Sequence, residues 1–201
     1  MRLKKNIFLV DDDATACHAL SVFLDGSGYN ARSFPSAEAF LEEAGGAVEG
    51  VMLLDQRMTG MSGLELQAEL ARRGIALPII FITGRGNVQM SVRAIKAGAI
   101  DFIEKPFNNE DLLASIREAF SRIDNSKKIA ELRQHHASLT RREQEVMKHV
   151  VAGMPNKDIA ERLGVCDRTI EAHRSRAMKK MRVESIPDLV RKCAMCLEDN
   201  Q

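Results

Sequence analysis

The sequence Asn6-Ile-Phe-Leu-Val-Asp-Asp-Asp13 joins a short apolar run to three carboxylates, and the amphipathic stretch Ala14–Leu24 follows at once. This is the pattern of a strand, a loop and a helix. Further strand-like runs occur at Tyr29–Ser33, Val51–Leu54, Ile79–Ile82 and Ile100–Ile103. Helical patterns follow them at Ala37–Ala44, Leu64–Arg72, Val88–Ala97 and Asp111–Ile123. Five such units predict an α/β fold, a doubly wound five-stranded parallel sheet of the flavodoxin-like kind with helices on both faces.

Polar side chains end four of the five predicted strands. Asp11 and Asp12 follow the first strand, Asp55 follows the third, Thr83 ends the fourth, and Lys105 follows the fifth. Sites in doubly wound sheets lie at the carboxyl ends of the strands, so we expect these side chains to meet at one rim. Neighbouring carboxylates repel one another, and a hard cation such as Mg²⁺ relieves the repulsion. With a hydroxyl and an ammonium group beside them, the pattern predicts a site for a phosphoryl group, where a carboxylate can act as the nucleophile.

The second part of the chain has an all-helical pattern. Residues 125–137 are polar and fit either a linker or a helical extension, so we place the first domain at 1–124 and the second at 138–201. Capping residues, glycines and a proline divide the second domain into four helices: Thr140 to about Ala152, Pro155–Leu163, Asp167–Arg182, and one after Ser185. A helix, a glycine turn and a longer basic helix predict a helix-turn-helix.

Composition and charge narrow the classes of function. The chain has 201 residues, 45% of them hydrophobic and 28% charged, which is typical of folded soluble domains. Its apolar runs are far shorter than the ~20 residues of a membrane span. We therefore expect a cytoplasmic protein with no membrane partner, and the four cysteines suit a reducing compartment. The net charge of +1 conceals −4 in residues 1–124 and +5 in 125–201, which favours a polyanionic partner for the second domain.

Four motifs of the first domain together resemble the signature of two-component response regulator receiver domains. They are Val10-Asp-Asp12, Leu54-Asp55-Gln-Arg-Met58, Ile82-Thr83-Gly84 and Asp101-Phe-Ile-Glu-Lys105-Pro106-Phe107. The resemblance is to the FixJ type especially, in the residues Met61-Ser-Gly63, Thr83-Gly84, Ala97-Gly-Ala99 and Glu104-Lys-Pro-Phe107. The resemblance implies that Asp55 accepts a phosphoryl group from a histidine of a sensor kinase. It implies that Asp12, Asp55 and the backbone carbonyl of Arg57 bind Mg²⁺, that Asp11 helps through water, and that Thr83 and Lys105 contact the phosphoryl group as catalytic residues.

The same resemblance implies a switch. Thr83 and Phe102 would move inward on phosphorylation, the surface formed by about residues 87–123 would change, and two receivers would then pair. It also implies a cis Lys105–Pro106 bond, and it makes Arg57 and Arg85 candidates for tuning phosphate hydrolysis. The sequence departs from the family pattern at Thr59, where the family usually has Pro, and at Gln89, where the nearest relatives often carry Pro.

The second domain resembles the LuxR-type DNA-binding domain. Leu139-Thr-Arg-Arg-Glu143, Asn156-Lys-Asp-Ile-Ala160 and Arg168-Thr-Ile-Glu-Ala-His173 carry the resemblance. In helical register, Ile170, Ala177, Met178 and Met181 form an apolar stripe that we expect to pack on Ile159, Leu163 and Val165. The predicted DNA contacts are Arg168, Thr169, Glu171, Ala172, Ser175, Arg176 and Lys179, with Glu171, Ala172 and Ser175 as base readers by family analogy. The alternative for Glu171 is a surface carboxylate that pairs with Arg174 or Arg168.

Three further residues or motifs receive structural interpretations. Cys166 stands where relatives usually have Ser as the N-cap of this helix, so Asp167 is a candidate cap or first-turn anion. His173 is expected to pack at the edge of the core. Cys193-Ala-Met-Cys196 lacks the two additional ligands of a zinc site and is interpreted as buried thiols.

The two resemblances together imply a DNA-binding transcriptional response regulator that a sensor histidine kinase phosphorylates on Asp55. We expect it to use Mg²⁺, to form a homodimer on phosphorylation, and to bind promoter DNA, most often as an activator with RNA polymerase as a further partner. It would be no enzyme beyond its own phosphorylation and dephosphorylation. Two alternatives stay open: a haloacid-dehalogenase-like phosphohydrolase with Asp11 as nucleophile and Asp13 as acid/base, and a DNA-binding regulator that does not depend on phosphorylation.

Overall fold

The computed structural model describes residues 4–44, 48–84 and 88–197, with side chains of the last helix described up to Lys192. These residues form two compact units, which divide between Ile123 and Asp124. In the first unit the strands are β1 (Asn6–Val10), β2 (Asn30–Phe34), β3 (Val51–Leu54), β4 (Ile79–Thr83) and β5 (Asp101–Glu104). They alternate with the helices α1 (Ala14–Gly26), α2 (Ala37–Glu43), α3 (Gly63–Arg72), α4 (Val88–Lys96) and α5 (Asn109–Ala137).

All strand pairs are parallel, and the order in the sheet is β2-β1-β3-β4-β5. This confirms the predicted doubly wound sheet. Residues of β3 and β4 are buried throughout, because helices cover both faces of the sheet. Phe8, Leu54 and Phe81 pack in a cluster on one face, whereas Leu53 and Ile80 pack in a second cluster on the other. The apolar strands therefore fix the positions of the polar residues that follow them.

Helix α5 is longer than its predicted core of Asp111–Ile123. It continues through the polar residues 125–137 and ends at Ala137, so this segment is a helical extension of α5. The reason lies in the sequence, because no glycine or proline interrupts the chain between Asn109 and Ala137. Leu132, within the extension, is buried.

The second unit contains α6 (Arg141–Val151), α7 (Asn156–Leu163), α8 (Asp167–Lys180) and α9 (Ile186–Leu197), which confirms the predicted four-helix domain. Gly164 ends α7 with a φ of 66°, a left-handed conformation that favours glycine. The predicted stripe of α8 is confirmed, since Ile170, Ala177 and Met181 are buried in one cluster with Ile159. Met178, Leu163 and Val165 pack against the same cluster.

The start of α8 differs from one expectation. Cys166 is the N-cap and makes no side-chain cap hydrogen bond, and Asp167 is the first residue of the helix rather than its cap. The Cys166 Sγ instead lies 3.2 Å from Thr169 Oγ1. Asp167 can still stabilise the helix through its charge in the first turn.

Candidate functional site

Four of the predicted site residues meet at one rim of the sheet. Asp11 follows β1, Asp55 follows β3, Thr83 ends β4 and Lys105 follows β5. Since these strands are neighbours and all parallel, their carboxyl ends lie on the same side. The Lys105 Nζ lies 2.7 Å from Asp11 Oδ2 and 3.4 Å from Asp55 Oδ1. Asp11, Asp55 and Lys105 also line a cavity of about 380 Å³.

Asp55 is the most buried carboxylate of the rim, at 8% exposure. The backbone N–H of Arg57 donates a hydrogen bond of 2.6 Å to Asp55 Oδ2. Burial and the negative charge of Asp11 raise the pKa of Asp55, and they outweigh the opposing effects of the Arg57 N–H and of Lys105. Asp55 thus presents a desolvated carboxylate beside an ammonium group, an arrangement suited to attack on a phosphoryl group.

Lys105 remains a cation in this setting. Burial by itself lowers its pKa, but the hydrogen bond from Lys105 to Asp11 and the charges of both carboxylates reverse this, so the net pKa is raised. The backbone N–H of Lys105 donates to the carbonyl of Thr83 at 2.8 Å, which ties the residues after β5 to the end of β4. Thr83 itself is 1% exposed. The predicted hydroxyl and ammonium residues therefore lie on adjacent strands of one rim.

Asp12 is held by a contact that the sequence patterns did not reveal. The backbone N–H and the hydroxyl of Thr59 both donate to Asp12 Oδ2, at 2.8 and 3.0 Å. These hydrogen bonds, the backbone one first, lower the pKa of Asp12. The signal in the sequence was Thr59 itself, because the proline usual at this position in the family has neither donor.

The donor chemistry at the rim suits Mg²⁺. In the part of the chain that the structure describes, no three His, Cys, Asp or Glu side chains are grouped so as to hold a metal ion. However, Mg²⁺ is typically bound by one or two carboxylates together with waters and phosphate oxygens. Asp11 and Asp55 already converge on one cation, the ammonium of Lys105. The backbone carbonyl of Arg57, which follows Asp55 by two residues, offers a further oxygen of the kind that Mg²⁺ prefers.

Asp13 has a structural role. Its side chain is the N-cap of α1 and accepts hydrogen bonds from the backbone N–H groups of Thr15 and Ala16. A carboxylate used in this way stabilises the helix start. The structure therefore gives Asp13 a role that does not depend on the phosphohydrolase alternative.

Phe102 lies on β5, and the Lys105–Pro106 bond directly follows this strand. Phe102 is half-buried and stacks on Phe81 with a centroid distance of 5.9 Å, and the two residues are partners in the β4–β5 register. The Lys105–Pro106 peptide bond is cis, as expected. The Arg57 side chain is exposed, whereas Arg85, the other residue considered for tuning hydrolysis, lies outside the described residues.

Helix α8 presents most of its predicted DNA-contacting residues to solvent. Thr169 and Ala172 are half-buried, and the exposed ones are Arg168, Glu171, Ser175, Arg176 and Lys179. Within the described chain, Glu171 makes no salt bridge, and Arg174 donates instead to Asn156 Oδ1 at 3.2 Å. The proposed pairing of Glu171 with Arg174 is therefore absent from the described structure, and Glu171 lines a surface depression with Ser175 and Lys179.

Two other residues or motifs of the second unit carry no assigned chemistry. His173 is half-buried and its Nδ1 is shielded from solvent, as expected of a packed residue. The Cys193 and Cys196 side chains lie outside the described residues.

Comparison with known families decides the identity of both units. Residues 7–117 match the family described as response regulator receiver domain, and residues 137–193 match the bacterial regulatory proteins of the luxR family. The chain belongs to the response regulator family. This membership favours the response regulator interpretation over the phosphohydrolase alternative.

The relatives of this response regulator match it over nearly the whole chain. It is 46% identical to the response regulator protein TmoT of Ectopseudomonas mendocina over 92% of this chain and 86% of TmoT. It is 40% identical to the transcriptional regulatory protein FixJ of Rhizobium meliloti (strain 1021) over 92% of this chain and 93% of FixJ. The solved structure of the response regulator StyR matches with a TM-score of 0.74 and 38% identity, covering 96% of this chain and 99% of StyR. The protein is thus a DNA-binding transcriptional response regulator of the FixJ type. Among the described residues, none of the helices combines the length and the apolar character that a membrane span requires.

Proposed function

We propose that Asp55 is the phosphoacceptor of this response regulator and that a sensor histidine kinase is the donor. The observation that carries the proposal is the setting of the buried Asp55 carboxylate, with Lys105 near one oxygen and the Arg57 N–H on the other. One Asp55 oxygen attacks phosphorus, the bond from phosphorus to the kinase histidine nitrogen breaks, and that nitrogen keeps the electron pair. Thr83 and Lys105 act as the catalytic residues that contact the phosphoryl oxygens.

The metal proposed for this step is Mg²⁺. Asp12, Asp55 and the backbone carbonyl of Arg57 would hold it, with Asp11 assisting through water. When bound, the ion neutralises charge that accumulates on the phosphoryl oxygens. The convergence of Asp11 and Asp55 on the ammonium of Lys105 supports a cation at this rim.

Phosphorylation would reach the DNA-binding domain through dimerisation. Thr83 and Phe102 are the proposed switch residues. Phe102 lies on β5, which is the element that follows α4 in the chain. Helix α4 exposes three large apolar side chains at helical spacing, Val88 at 79%, Val92 at 45% and Ile95 at 47%. An exposed apolar stripe of this kind is typical of an interaction surface. We propose that a second copy of the chain covers it in the phosphorylated homodimer.

The dimer would place two α8 helices on neighbouring half-sites of promoter DNA. Each DNA-binding domain binds weakly alone, and coupling two of them raises the effective concentration of the second. We propose RNA polymerase as a further partner and the cytoplasm, where promoter DNA is found in bacteria, as the location.

The test of the proposed phosphoacceptor is a mass measurement. Intact protein incubated with acetyl phosphate and Mg²⁺ is expected to gain one phosphoryl group, which peptide mapping assigns to Asp55. Label on Asp11, or no gain in mass, would contradict the proposal. Asp11 is the informative alternative because it shares the ammonium of Lys105 with Asp55.

Two substitutions on α8 separate base reading from phosphate contact. Glu171→Ala is expected to relax base preference, because a carboxylate in the major groove can accept a hydrogen bond from cytosine N4, worth about 1–3 kcal/mol of discrimination. Lys179→Ala is expected to weaken binding to all DNA sequences alike. It should also reduce by about one the magnitude of the slope of the logarithm of the binding constant against the logarithm of the salt concentration. Binding titrations on operator and scrambled DNA at several salt concentrations measure both effects. A Lys179→Ala variant that loses affinity for the operator alone would contradict its assignment.

A further inference from the structure

Thr59 is placed to control where the Asp12 carboxylate lies. Two donors of one residue, the Thr59 N–H at 2.8 Å and its hydroxyl at 3.0 Å, bind the same oxygen, Asp12 Oδ2. Asp11 and Asp55, by contrast, are both directed to the ammonium of Lys105. The three carboxylates therefore divide into a converged pair and a third that is held by the loop after β3.

The loop that carries Thr59 is itself fixed. Gly60 has a φ of 85°, and a side chain there would bring a Cβ to 2.9 Å from Glu38 Oε1. The same Glu38 oxygen accepts a hydrogen bond from the Met61 N–H at 3.0 Å. Beyond it, Ser62 forms a capping box with Glu65 at the start of α3. Anchored on this side, the loop presents the two Thr59 donors to Asp12 at a set position.

We propose that Thr59 is a positioning residue that restrains the Asp12 carboxylate, so that Mg²⁺ must compete with two hydrogen bonds for this ligand. The inference rests on the proposed function, in which Asp12 is one of the groups that hold Mg²⁺. A carboxylate oxygen that accepts two hydrogen bonds has less electron density and fewer orientations to offer a cation. A proline at this position has no N–H and no hydroxyl, so it would leave Asp12 free to turn toward the metal. Thr59 thus weakens Mg²⁺ binding relative to a receiver with proline here.

A graded set of Thr59 variants of the full chain tests the proposal by Mg²⁺ titration calorimetry without any phosphodonor. Thr59→Val removes the hydroxyl and keeps the N–H, and we expect Mg²⁺ to bind about threefold more tightly. Thr59→Pro removes both donors, and we expect about tenfold tighter binding. Thr59→Ser keeps both donors and serves as the matched control, with affinity equal to wild type. Thermal unfolding without Mg²⁺ shows whether each variant is folded, and Thr59→Val maintains the test if Thr59→Pro fails to fold.

The same titrations with Asp12→Ala show whether the effect passes through Asp12. In that background, Thr59→Val is expected to leave Mg²⁺ affinity unchanged, since the group it releases is gone. Equal or weaker Mg²⁺ binding by folded Thr59→Val and Thr59→Pro would overturn the inference alone, and so would a gain that persists with Asp12→Ala. Wild-type protein that binds no Mg²⁺ would overturn the proposed metal site together with the inference.

Discussion

Asp55→Asn is expected to abolish phosphorylation by acetyl phosphate and, with it, the increase in operator affinity that phosphorylation produces. An amide oxygen carries no negative charge and is a far weaker nucleophile than the carboxylate. The substitution preserves shape, and an asparagine oxygen can still accept the 2.6 Å hydrogen bond from the Arg57 N–H, so the rim is expected to stay folded. The loss should therefore reflect chemistry rather than unfolding.

The measurement is an operator-binding titration before and after treatment with acetyl phosphate and Mg²⁺. We expect wild-type affinity to rise on the order of 10²-fold, because pairing of receivers makes binding of the second DNA-binding domain intramolecular. Asp55→Asn is expected to show no rise at all. This makes it the substitution with the largest predicted effect on function.

Asp13, which follows β1, supplies a matched control for Asp55→Asn. Asp13→Asn removes one carboxylate two residues from Asp11 but leaves a good N-cap for α1, since asparagine caps helices as well as aspartate does. It should therefore be phosphorylated and respond like wild type. A wild-type protein that is labelled on Asp55 but gains no affinity for the operator would instead support the regulator that does not depend on phosphorylation.

Sequence patterns predicted the rim well because they rest on topology. Once the apolar runs are assigned to parallel strands, the residues that end them must lie on one side of the sheet, and this predicts that Asp55, Thr83 and Lys105 lie close together. The stripe of α8 was equally readable, because burial follows helical periodicity. Strand boundaries moved by one residue, as β2 and β5 show, because hydrogen bonding rather than side-chain character sets where a strand ends.

Features that depend on individual polar contacts are harder to predict from the sequence. Whether residues 125–137 form a linker or a helix could not be decided from composition, since polar helix formers suit both, and the structure shows a helix. The hold of Thr59 on Asp12 joins residues 47 positions apart through donors whose directions depend on the loop backbone. The start of α8 also depends on a contact that the sequence pattern does not predict. The Cys166 Sγ lies beside the Thr169 hydroxyl instead of capping the helix.

Lys180→Met is expected to destabilise the DNA-binding domain. Glu143 is 2% exposed, and its Oε2 accepts hydrogen bonds from Lys180 Nζ at 2.7 Å and from the Thr140 N–H at 2.8 Å. Removing the ammonium leaves a buried carboxylate with only the Thr140 contacts. Loss of one partner of a fully buried pair costs about 3–5 kcal/mol. The Lys180 side chain is 37% exposed, so solvent screens part of the interaction and we expect a loss of about 1–3 kcal/mol.

The stability that Lys180 contributes through Glu143 should decrease as the pH falls. The Lys180 hydrogen bond first, and the Thr140 N–H second, hold the pKa of Glu143 at about 2, well below its ordinary value of 4.5. A lowered pKa in the folded state gives stability that is complete above pH 4.5 and is lost as the pH falls toward about 2. The difference between wild type and Lys180→Met should therefore be largest near neutral pH and shrink as the solution is acidified through this range.

Hydrogen–deuterium exchange locates this loss within the chain. Peptides from α6 and α8 should exchange faster in Lys180→Met than in wild type at the same pH, whereas peptides from β3 and β4 should be unchanged and serve as an internal reference. Arg191→Met is the matched control, because Arg191 is 74% exposed and its salt bridge to Asp188 lies at the surface, where such pairs contribute little. Equal exchange in the two variants would show that Glu143 does not depend on Lys180, whereas faster exchange confined to Lys180→Met establishes that their ion pair stabilises the domain that presents α8 to DNA.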